Sequence, residues 1–220
     1  SAASDVYKRQ LYHYLIETFG FNEPIFITDI DFNNYSKIWI SKELARLCES
    51  NQIVRYEKGI YYIPQDTIFG KSSLNPNKVI KRKYLSDNGN SIGFFTGTTA
   101  LQQIGLSTQM PNIPEIQTNN ESSKLRRVKV GNQEVILRKA RVRINNENIA
   151  VLRFLDIMSI ASANFLDTVK KGILKKWIDE NGITREQVMQ FAPVFPDKSM
   201  RNLVESGVIY YVCLLYTSPS

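Results

Sequence analysis

The chain has few of the side chains on which most catalytic and metal centres depend. Its 220 residues include one histidine and two cysteines. Cys48 and Cys213 lie far apart and form no CxxC or other metal-ligand spacing, which argues against a metal or redox centre. His13 stands among tyrosines in a predicted helix, where a lone histidine is more often a surface or core-edge residue than a base. We therefore expect inert thiols, no metal ion and no histidine-dependent catalysis.

Long apolar runs are absent as well. No stretch approaches the roughly 18 apolar residues that cross a bilayer. The N-terminal segment has no charged region followed by an apolar one, so the sequence gives no secretory signal. The composition, 43% hydrophobic and 22% charged, is that of a globular protein, and the length allows two small domains. We expect a cytoplasmic protein that makes no membrane contact.

Nucleotide-binding motifs and catalytic carboxylate pairs are also lacking. The segment SIGFFTGTTALQQIGLSTQMP predicts a strand at residues 92–96 and a helix starting near Gly97, but it contains neither GxxxxGK[ST] nor GxGxxG. Asp29 and Asp31 are two apart and therefore lie on different sides of a helix. Asp156 stands alone in an apolar segment, where we expect it to pair with a cation. We expect neither an enzyme nor a cofactor.

Positive charge is unevenly distributed along the chain. The net charge is +7, yet residues 1–64 hold 7 basic and 8 acidic side chains, whereas residues 65–153 hold 14 and 6. A basic protein suits a polyanionic partner, although many basic proteins bind none.

The most informative segment is 28–64, TDIDFNNYSKIWISKELARLCESNQIVRYEKGIYYIP. It predicts a short helix, a turn, a longer helix and a hairpin, which is the order of a winged helix-turn-helix. Thr28 and Asp31 have the spacing of a capping box, and Asn33 and Asn34 supply the turn. A preceding helix at residues 11–19 and a short strand pairing with the wing complete the fold.

The longer helix has a predicted N-cap and a predicted buried stripe. Ser36 is the cap, and Ile40, Leu44 and Leu47 recur at helical spacing. The opposite face then carries small and basic residues, which suit a helix placed in the major groove. The DNA-binding residues that we predict on this helix are Ser36, Lys37, Ser41, Lys42 and Arg46.

The hairpin that follows is predicted at residues 52–56 and 60–63, joined at Gly59. Arg55 and Lys58 are expected on this wing, where cations commonly contact phosphates rather than bases. Two alternatives remain open at this point. The segment could be an ordinary small domain whose charges are only solvated, or a winged helix that binds protein.

The C-terminal region predicts a small mixed α+β domain with a helical end. Residues 113–145 predict an antiparallel sheet whose last strand, 139–144, alternates inward and outward. Lys139, Arg141 and Arg143 would then form an outward basic ladder that binds phosphates or an acidic partner, or that protects an edge strand. Apolar and amphipathic helices are expected at 148–160 and 165–179, and Thr184 and Gln187 have the spacing of a capping box.

The two ends of the sequence have an unusual character. SAASDVYKRQ at 1–10 and CLLYTSPS at 213–220 resemble translated sequencing-adapter read-through. We expect both to be foreign to the gene and exclude them from the domain assignment.

Two motifs together resemble a known bacterial family. GIYYIP at the end of the wing, followed by FFTGTTALQQIGLSTQMP, is similar to AbiEi-type antitoxins and transcriptional regulators of type IV toxin-antitoxin systems, over residues 11 to about 175. The resemblance implies an N-terminal winged helix that represses its own operon and a C-terminal antitoxin domain. It also implies a partner, a nucleotidyltransferase-type toxin encoded alongside.

The leading prediction is an α+β protein with a winged helix-turn-helix at 11–64, a linker at 65–75 and an antitoxin-like domain at 76–212. Its predicted partners are double-stranded DNA and a cognate toxin, and the sequence does not specify an oligomeric state. One alternative is an enzyme acting on nucleic acid, with the basic middle region as a substrate track. The other is a scaffold that binds only protein.

Overall fold

The computed structural model of the chain describes residues 2–109 and 111–213, with side chains from residue 9 to 212. It is a mixed α+β protein that divides into two compact units. The first contains the residues up to Arg82 and the short segment Val130–Gln133, and the second contains the remaining described residues. Apart from the backbone of Cys213, the predicted foreign segment 213–220 lies outside the described residues.

The first unit contains two helices around a short 3-10 turn, and a three-stranded sheet. Its leading elements are α1 (Ala2–Phe19), β1 (Ile25–Phe26), the 3-10 turn Ile27–Asp29, α2 (Lys37–Glu49), β2 (Val54–Glu57) and β3 (Ile60–Tyr62). The strand order is β1-β3-β2, with both pairings antiparallel. The short first strand predicted to pair with the wing is therefore confirmed.

The core of the first unit confirms the predicted helical stripes. Leu11 and Leu15 of α1 are fully buried, as are Ile40, Leu44 and Leu47 of α2. Full burial of such a side chain contributes about 1.5–3 kcal/mol, which is how packing fixes the orientation of α2. The other face of α2 is left to solvent.

The chain between α1 and α2 differs in part from the prediction. The capping box is wrong, because the 3-10 turn ends at Asp29 and the Thr28 hydroxyl donates instead to the Asp29 carboxylate, 3.2 Å away. A single turn is too short to include Asp31 as its third residue. Asn33 and Asn34 have φ of 47° and 56°, so both supply the left-handed turn as predicted.

The segment predicted as a linker folds into a small hairpin. Its strands are β4 (Asp66–Thr67) and β5 (Gly70–Lys71), followed by α3 (Pro76–Ile80) and a π-helical turn, Lys81–Leu85. The Lys71 ammonium donates to the Asn51 carbonyl, and Lys78 pairs with Glu23. These contacts attach residues 65–80 to the first unit.

The second unit places a mixed sheet beside a group of helices. The bounds are β6 (Ser86–Asp87), β7 (Asn90–Ser91), β8 (Gly93–Thr96), α4 (Gly97–Gln103), β9 (Glu115–Thr118), β10 (Arg126–Val130), β11 (Gln133–Lys139), α5 (Ile149–Ile160), α6 (Thr168–Glu180), α7 (Arg185–Phe191), α8 (Asp197–Glu205) and α9 (Ile209–Cys213), with a 3-10 turn at Ala192–Val194. Only the end of β10 and the start of β11, at Val130 and Gln133, are assigned to the first unit. The strand and helix predicted around Gly97 are β8 and α4.

The sheet of the second unit corrects two predictions. Its order is β10-β11-β9-β8, and β9 runs parallel to β11, so the sheet is mixed and not antiparallel. The strand predicted at 139–144 does not form, because β11 ends at Lys139. The Asn119 side chain instead binds both backbone groups of Ile144, at 2.8 and 2.9 Å, and this replaces the pairing that a strand partner would provide.

The helices of the second unit form its apolar core. Phe154, Leu155, Ile157 and Met158 of α5 are fully buried, which confirms the predicted central helix. The capping box of Thr184 and Gln187 is confirmed at the start of α7. Within residues 2–109 and 111–213, no helix has both the length and the apolar character needed to cross a membrane.

Candidate nucleic-acid interface

The N-terminal end of α2 is fixed by two polar side chains. The Ser36 hydroxyl accepts a hydrogen bond from the Trp39 N–H at 3.3 Å, which confirms the predicted cap. The Lys37 ammonium donates to the carbonyls of Ile27, Thr28 and Ile30, at 3.1, 3.3 and 2.5 Å. An ammonium has three N–H donors, so these contacts use all of them. Lys37 therefore holds the 3-10 turn to the start of α2.

Stacked aromatic rings reinforce this junction. The Tyr35 and Trp39 rings stack with centroids 4.0 Å apart, and Phe32 stacks against Tyr35 at 5.9 Å and against Trp39 at 6.2 Å. Offset aromatic pairs at such distances contribute about 0.5–1.5 kcal/mol beyond the burial of area. The turn before α2 is thus rigidly connected to the helix.

The outward face of α2 carries mostly small side chains, with a single unengaged cation near its centre. Ser41, Lys42 and Ala45 are exposed, and Ile38 is 72% exposed. Lys42 makes no hydrogen bond or ion pair with any residue that the structure describes. A surface of small side chains with a free cation lets a helix backbone approach closely to another molecule.

Arg46 lies on the same face, one turn further along. Its guanidinium pairs with the carboxylate of Glu43, a residue that is only 4% exposed. Arg46 itself is exposed. The arginine therefore neutralises a buried charge and also presents part of its guanidinium to solvent, a double role that the sequence analysis did not foresee.

The hairpin of β2 and β3 carries the two predicted wing cations. Arg55 and Lys58 are both exposed, and Gly59, with φ of 78°, forms the turn. The register shifts between Arg55 and Glu57, so the strand is bulged there. The Ile27 N–H donates to the Gly59 carbonyl at 2.9 Å, which brings the 3-10 turn beside the hairpin turn. The start of α2 and the tip of the hairpin therefore lie at the same end of the first unit.

Asp29, part of the acidic pair considered in the sequence, has a structural partner. The Arg82 guanidinium donates to both of its carboxylate oxygens, at 2.7 to 3.1 Å, and lies over the Phe26 ring at 5.2 Å. Such a bidentate pair between partly buried side chains fixes geometry. It attaches Arg82, near the end of the first unit, to the 3-10 turn before α2.

In the second unit, the predicted ladder residues are exposed without forming a strand. Lys139, Arg141 and Arg143 all face solvent, and the Arg141 guanidinium lies 5.2 Å from the centre of the Phe195 ring. All three line an open cavity of about 610 Å³. Its other lining residues include Thr118, Asn119, Asn120 and Glu121.

Glu121 is one of two acidic residues that line this cavity, and the other is Asp87. Burial alone would raise the pKa of the Glu121 carboxyl, but hydrogen bonds from the Ser123 N–H and the Arg126 guanidinium outweigh burial and lower that pKa. The Glu121 carboxylate is paired with Arg126, and the three cations of the ladder outnumber Asp87, the other acid of the lining.

Asp156 corrects the expectation of a cation partner. Its carboxylate, 5% exposed, accepts a hydrogen bond from the Thr96 hydroxyl, and no cation forms an ion pair with it among the described side chains. Burial raises the pKa of Asp156, opposed by the Thr96 hydrogen bond and by the charges of Arg141 and Arg138. The carboxylate thus joins α5 to the start of α4.

Histidine, cysteine and acidic side chains are the usual protein ligands of a metal ion. Across residues 2–109 and 111–213 there is no cluster of three or more. Cys48 is partly buried, and desolvation raises the pKa of its thiol.

A comparison with protein-family models gives a match over most of the chain. The model described as a family of unknown function, DUF6088, matches residues 22–180. A comparison with curated proteins gave no match. The matched range includes the 3-10 turn, α2, the hairpin and the second unit as far as the end of α6. The chain therefore belongs to the DUF6088 family.

Proposed function

We propose that the first unit is a winged helix-turn-helix that binds duplex DNA, with α2 as the recognition helix and the β2–β3 hairpin as the wing. The observation that carries the proposal is the outward face of α2. It combines the small residues Ser41 and Ala45 with the unengaged cation Lys42, on a helix whose opposite face is fully buried. The order of elements and the pairing of β1 with β3 support this assignment.

In this proposal the predicted DNA-binding residues have three different roles. Ser36 and Lys37 position α2, since both are bonded to neighbouring backbone groups. Ser41 and Lys42 contact base edges, together with the exposed part of Arg46. Arg55 and Lys58, on the wing, contact phosphates and set the position of the protein on the duplex.

Because the net charge of the first unit is low, its affinity for DNA should depend on where individual cations lie. The sequence of this unit, residues 1–82 and 130–133, holds 11 basic and 9 acidic side chains, so the unit attracts DNA weakly as a whole. Contacts from Lys42, Arg46, Arg55 and Lys58 would release about one counterion each, which gives a salt slope on the order of −3 to −4. A shallow slope with clear sequence preference is the expected behaviour.

The second candidate function is that of an antitoxin, with the first unit repressing the operon that encodes it. The resemblance to AbiEi-type proteins motivates this proposal, and the ladder of Lys139, Arg141 and Arg143 around an open cavity supports it. In this account the ladder contacts the acidic surface of a nucleotidyltransferase-type toxin. Cells that express the adjacent gene should grow only when the full chain is co-expressed with an intact ladder.

Mobility shift of DNA from upstream of the chain's own gene tests the leading proposal. We expect full-length protein to shift this DNA. The shift should persist when competitor DNA of random sequence is added. A protein-only scaffold would give no shift. An enzyme acting on nucleic acid would degrade or modify the labelled duplex during the incubation, and this alternative is checked on a denaturing gel.

A further inference from the structure

Arg153 is a partly buried cation in the second unit with an incomplete set of partners. It lies on α5, and its guanidinium is 5.6 Å from the centre of the Trp177 ring on α6. Nη2 donates to the side-chain oxygen of Gln103, at the end of α4, at a long 3.4 Å. Nε is buried and makes no hydrogen bond within the described part of the chain.

Two other arginines of this unit form close ion pairs with acids. Arg126 bonds Glu121 at 2.8 Å, and Arg138 bonds Glu115 at 2.8 Å. Arg153 forms no such ion pair with any described residue, and desolvation lowers its pKa. A desolvated charge without a counter-ion is unfavourable, so an anion that enters here gains more than it would at an exposed arginine.

A cavity of about 820 Å³ lies against this guanidinium. That volume is within the roughly 300–1,000 Å³ of small-molecule sites. Ile104, Ile173 and Trp177 give it an apolar wall, while Gln103 and Arg153 form a polar end. Glu180 and Lys176 also line it, but they neutralise each other across 3.7 Å. The net charge that the lining presents is therefore that of Arg153.

We propose that this cavity binds a small organic oxyanion, a carboxylate or a phosphate monoester, with Arg153 as its anchor. The planar guanidinium offers a fork of N–H donors that matches two oxygens of either group. Trp177 and the two isoleucines contact an aromatic or apolar body attached to the anion. The site lies entirely within the second unit and does not depend on the proposed DNA binding.

The position of Trp177 allows binding to be measured by fluorescence. The chain has two tryptophans, Trp39 and Trp177. In full-length protein carrying Trp39→Phe, the emission therefore reports on the cavity. The probes are phenylacetate, phenyl phosphate and the neutral 2-phenylethanol, each titrated at constant ionic strength. We expect a saturable change with at least one anion and at least tenfold weaker binding of the alcohol, and the stronger anion identifies the ligand class.

A matched pair of variants isolates the guanidinium. Arg153→Met keeps an apolar stem of similar length, and Arg185→Met removes an exposed arginine of the same unit. Arg153→Met should weaken binding of the anion at least tenfold, whereas Arg185→Met should leave it unchanged. Without probe, Arg153→Met loses the Trp177 ring contact and the long Gln103 hydrogen bond but no ion pair, so its melting temperature should lie within about 4 °C of the parent's.

Four results would overturn the proposal. The first is the absence of a saturable response to either anion. The second is binding of the neutral alcohol as tight as that of the anions. The third is an equal loss of anion affinity in Arg153→Met and Arg185→Met. As a fourth such result, a melting temperature of ligand-free Arg153→Met more than about 10 °C below the parent's would assign the arginine to the fold. If that variant does not fold, the affinities of the parent protein for the anions and for the alcohol still test the proposal.

Discussion

The guanidinium of Arg46 pairs with the carboxylate of Glu43, one turn earlier on the same helix. The acid is buried and the arginine is half exposed, so the pair gives an outward residue a role in stability. Arg46→Ala should lower the free energy of unfolding by about 1–2 kcal/mol, because a buried carboxylate loses its partner. Urea denaturation measures this loss. Adding Glu43→Gln should recover most of it, and a double variant as unstable as Arg46→Ala would contradict the pairing.

Lys42 offers a cleaner test of DNA reading, because it is not engaged by the fold. Lys42→Ala should change stability by no more than about 0.5 kcal/mol. It should reduce binding to the preferred DNA sequence by about 1–3 kcal/mol while affecting random DNA less. Fluorescence anisotropy with both duplexes measures the difference. Lys81→Ala, at another exposed lysine of the first unit, is the matched control and should retain sequence preference.

Lys37 should behave in the opposite way. Lys37→Met removes three hydrogen bonds to backbone carbonyls, which should destabilise the protein by about 1–2 kcal/mol, a figure reduced for partial exposure. Lys58→Met, on the hairpin turn, should leave the free energy of unfolding within about 0.5 kcal/mol. Equal stability of the two variants in urea would show that the carbonyl contacts of Lys37 contribute nothing.

The buried carboxyl of Asp156 predicts a pH dependence of stability. Burial raises its folded-state pKa above the ordinary 3.8. At pH values below 3.8 the carboxyl is protonated in both the folded and the unfolded protein. Folding then does not have to desolvate a charged carboxylate. As the pH rises through the raised pKa, the native protein loses stability relative to Asp156→Asn. Unfolding free energies of both proteins at pH 3.5 and pH 7 should show this relative loss, and a pH-independent difference would contradict it.

Charge on the ladder should control the rate at which a toxin partner associates. Lys139→Glu combined with Arg143→Glu reverses two exposed charges and leaves the Arg141 contact with Phe195 in place. Electrostatic steering acts mainly on association, so we expect a rate about tenfold lower at low salt with little change in dissociation. Surface plasmon resonance with the adjacent gene product measures both rates. A change confined to dissociation would contradict steering.

Local periodicity predicted the elements that depend on neighbouring residues. The stripe of Ile40, Leu44 and Leu47 identified α2 and its outward face, and Ser36 identified its start. Gly59 and the β-branched runs around it predicted the hairpin. In each case, the residues that determine the element are close to one another in the sequence.

Predictions that depend on distant residues were less successful. The parallel pairing of β9 with β11 depends on the order of the strands in the sheet. The alternation of side chains along a strand does not determine that order. Residues 140–144 alternate as a strand does, yet the Ala140 N–H donates to the Thr118 carbonyl and the Asn119 side chain binds Ile144, without a continuing strand. The exposure of Lys139, Arg141 and Arg143 was nevertheless predicted, because it follows from the alternation alone.

The engagement of individual cations was also beyond sequence analysis. Lys37 and Arg46 looked like equivalent DNA-binding residues, and only the positions of the Ile30 carbonyl and the Glu43 carboxylate distinguish their roles. Arg153 had a usable signal, since a lone cation in the apolar run IAVLRFLDIMSI needs an explanation.

The most direct test of the central claim is the salt dependence of DNA binding by the full-length protein. Affinity for its own upstream duplex, measured by anisotropy between 50 and 300 mM KCl, should fall with a log–log slope of about −3 to −4. Lys58→Ala should make that slope shallower by about one while preserving sequence preference, and Lys42→Ala should lower the preference itself. A slope near zero, or equal affinity for upstream and random duplexes, would contradict DNA recognition by α2 and its wing.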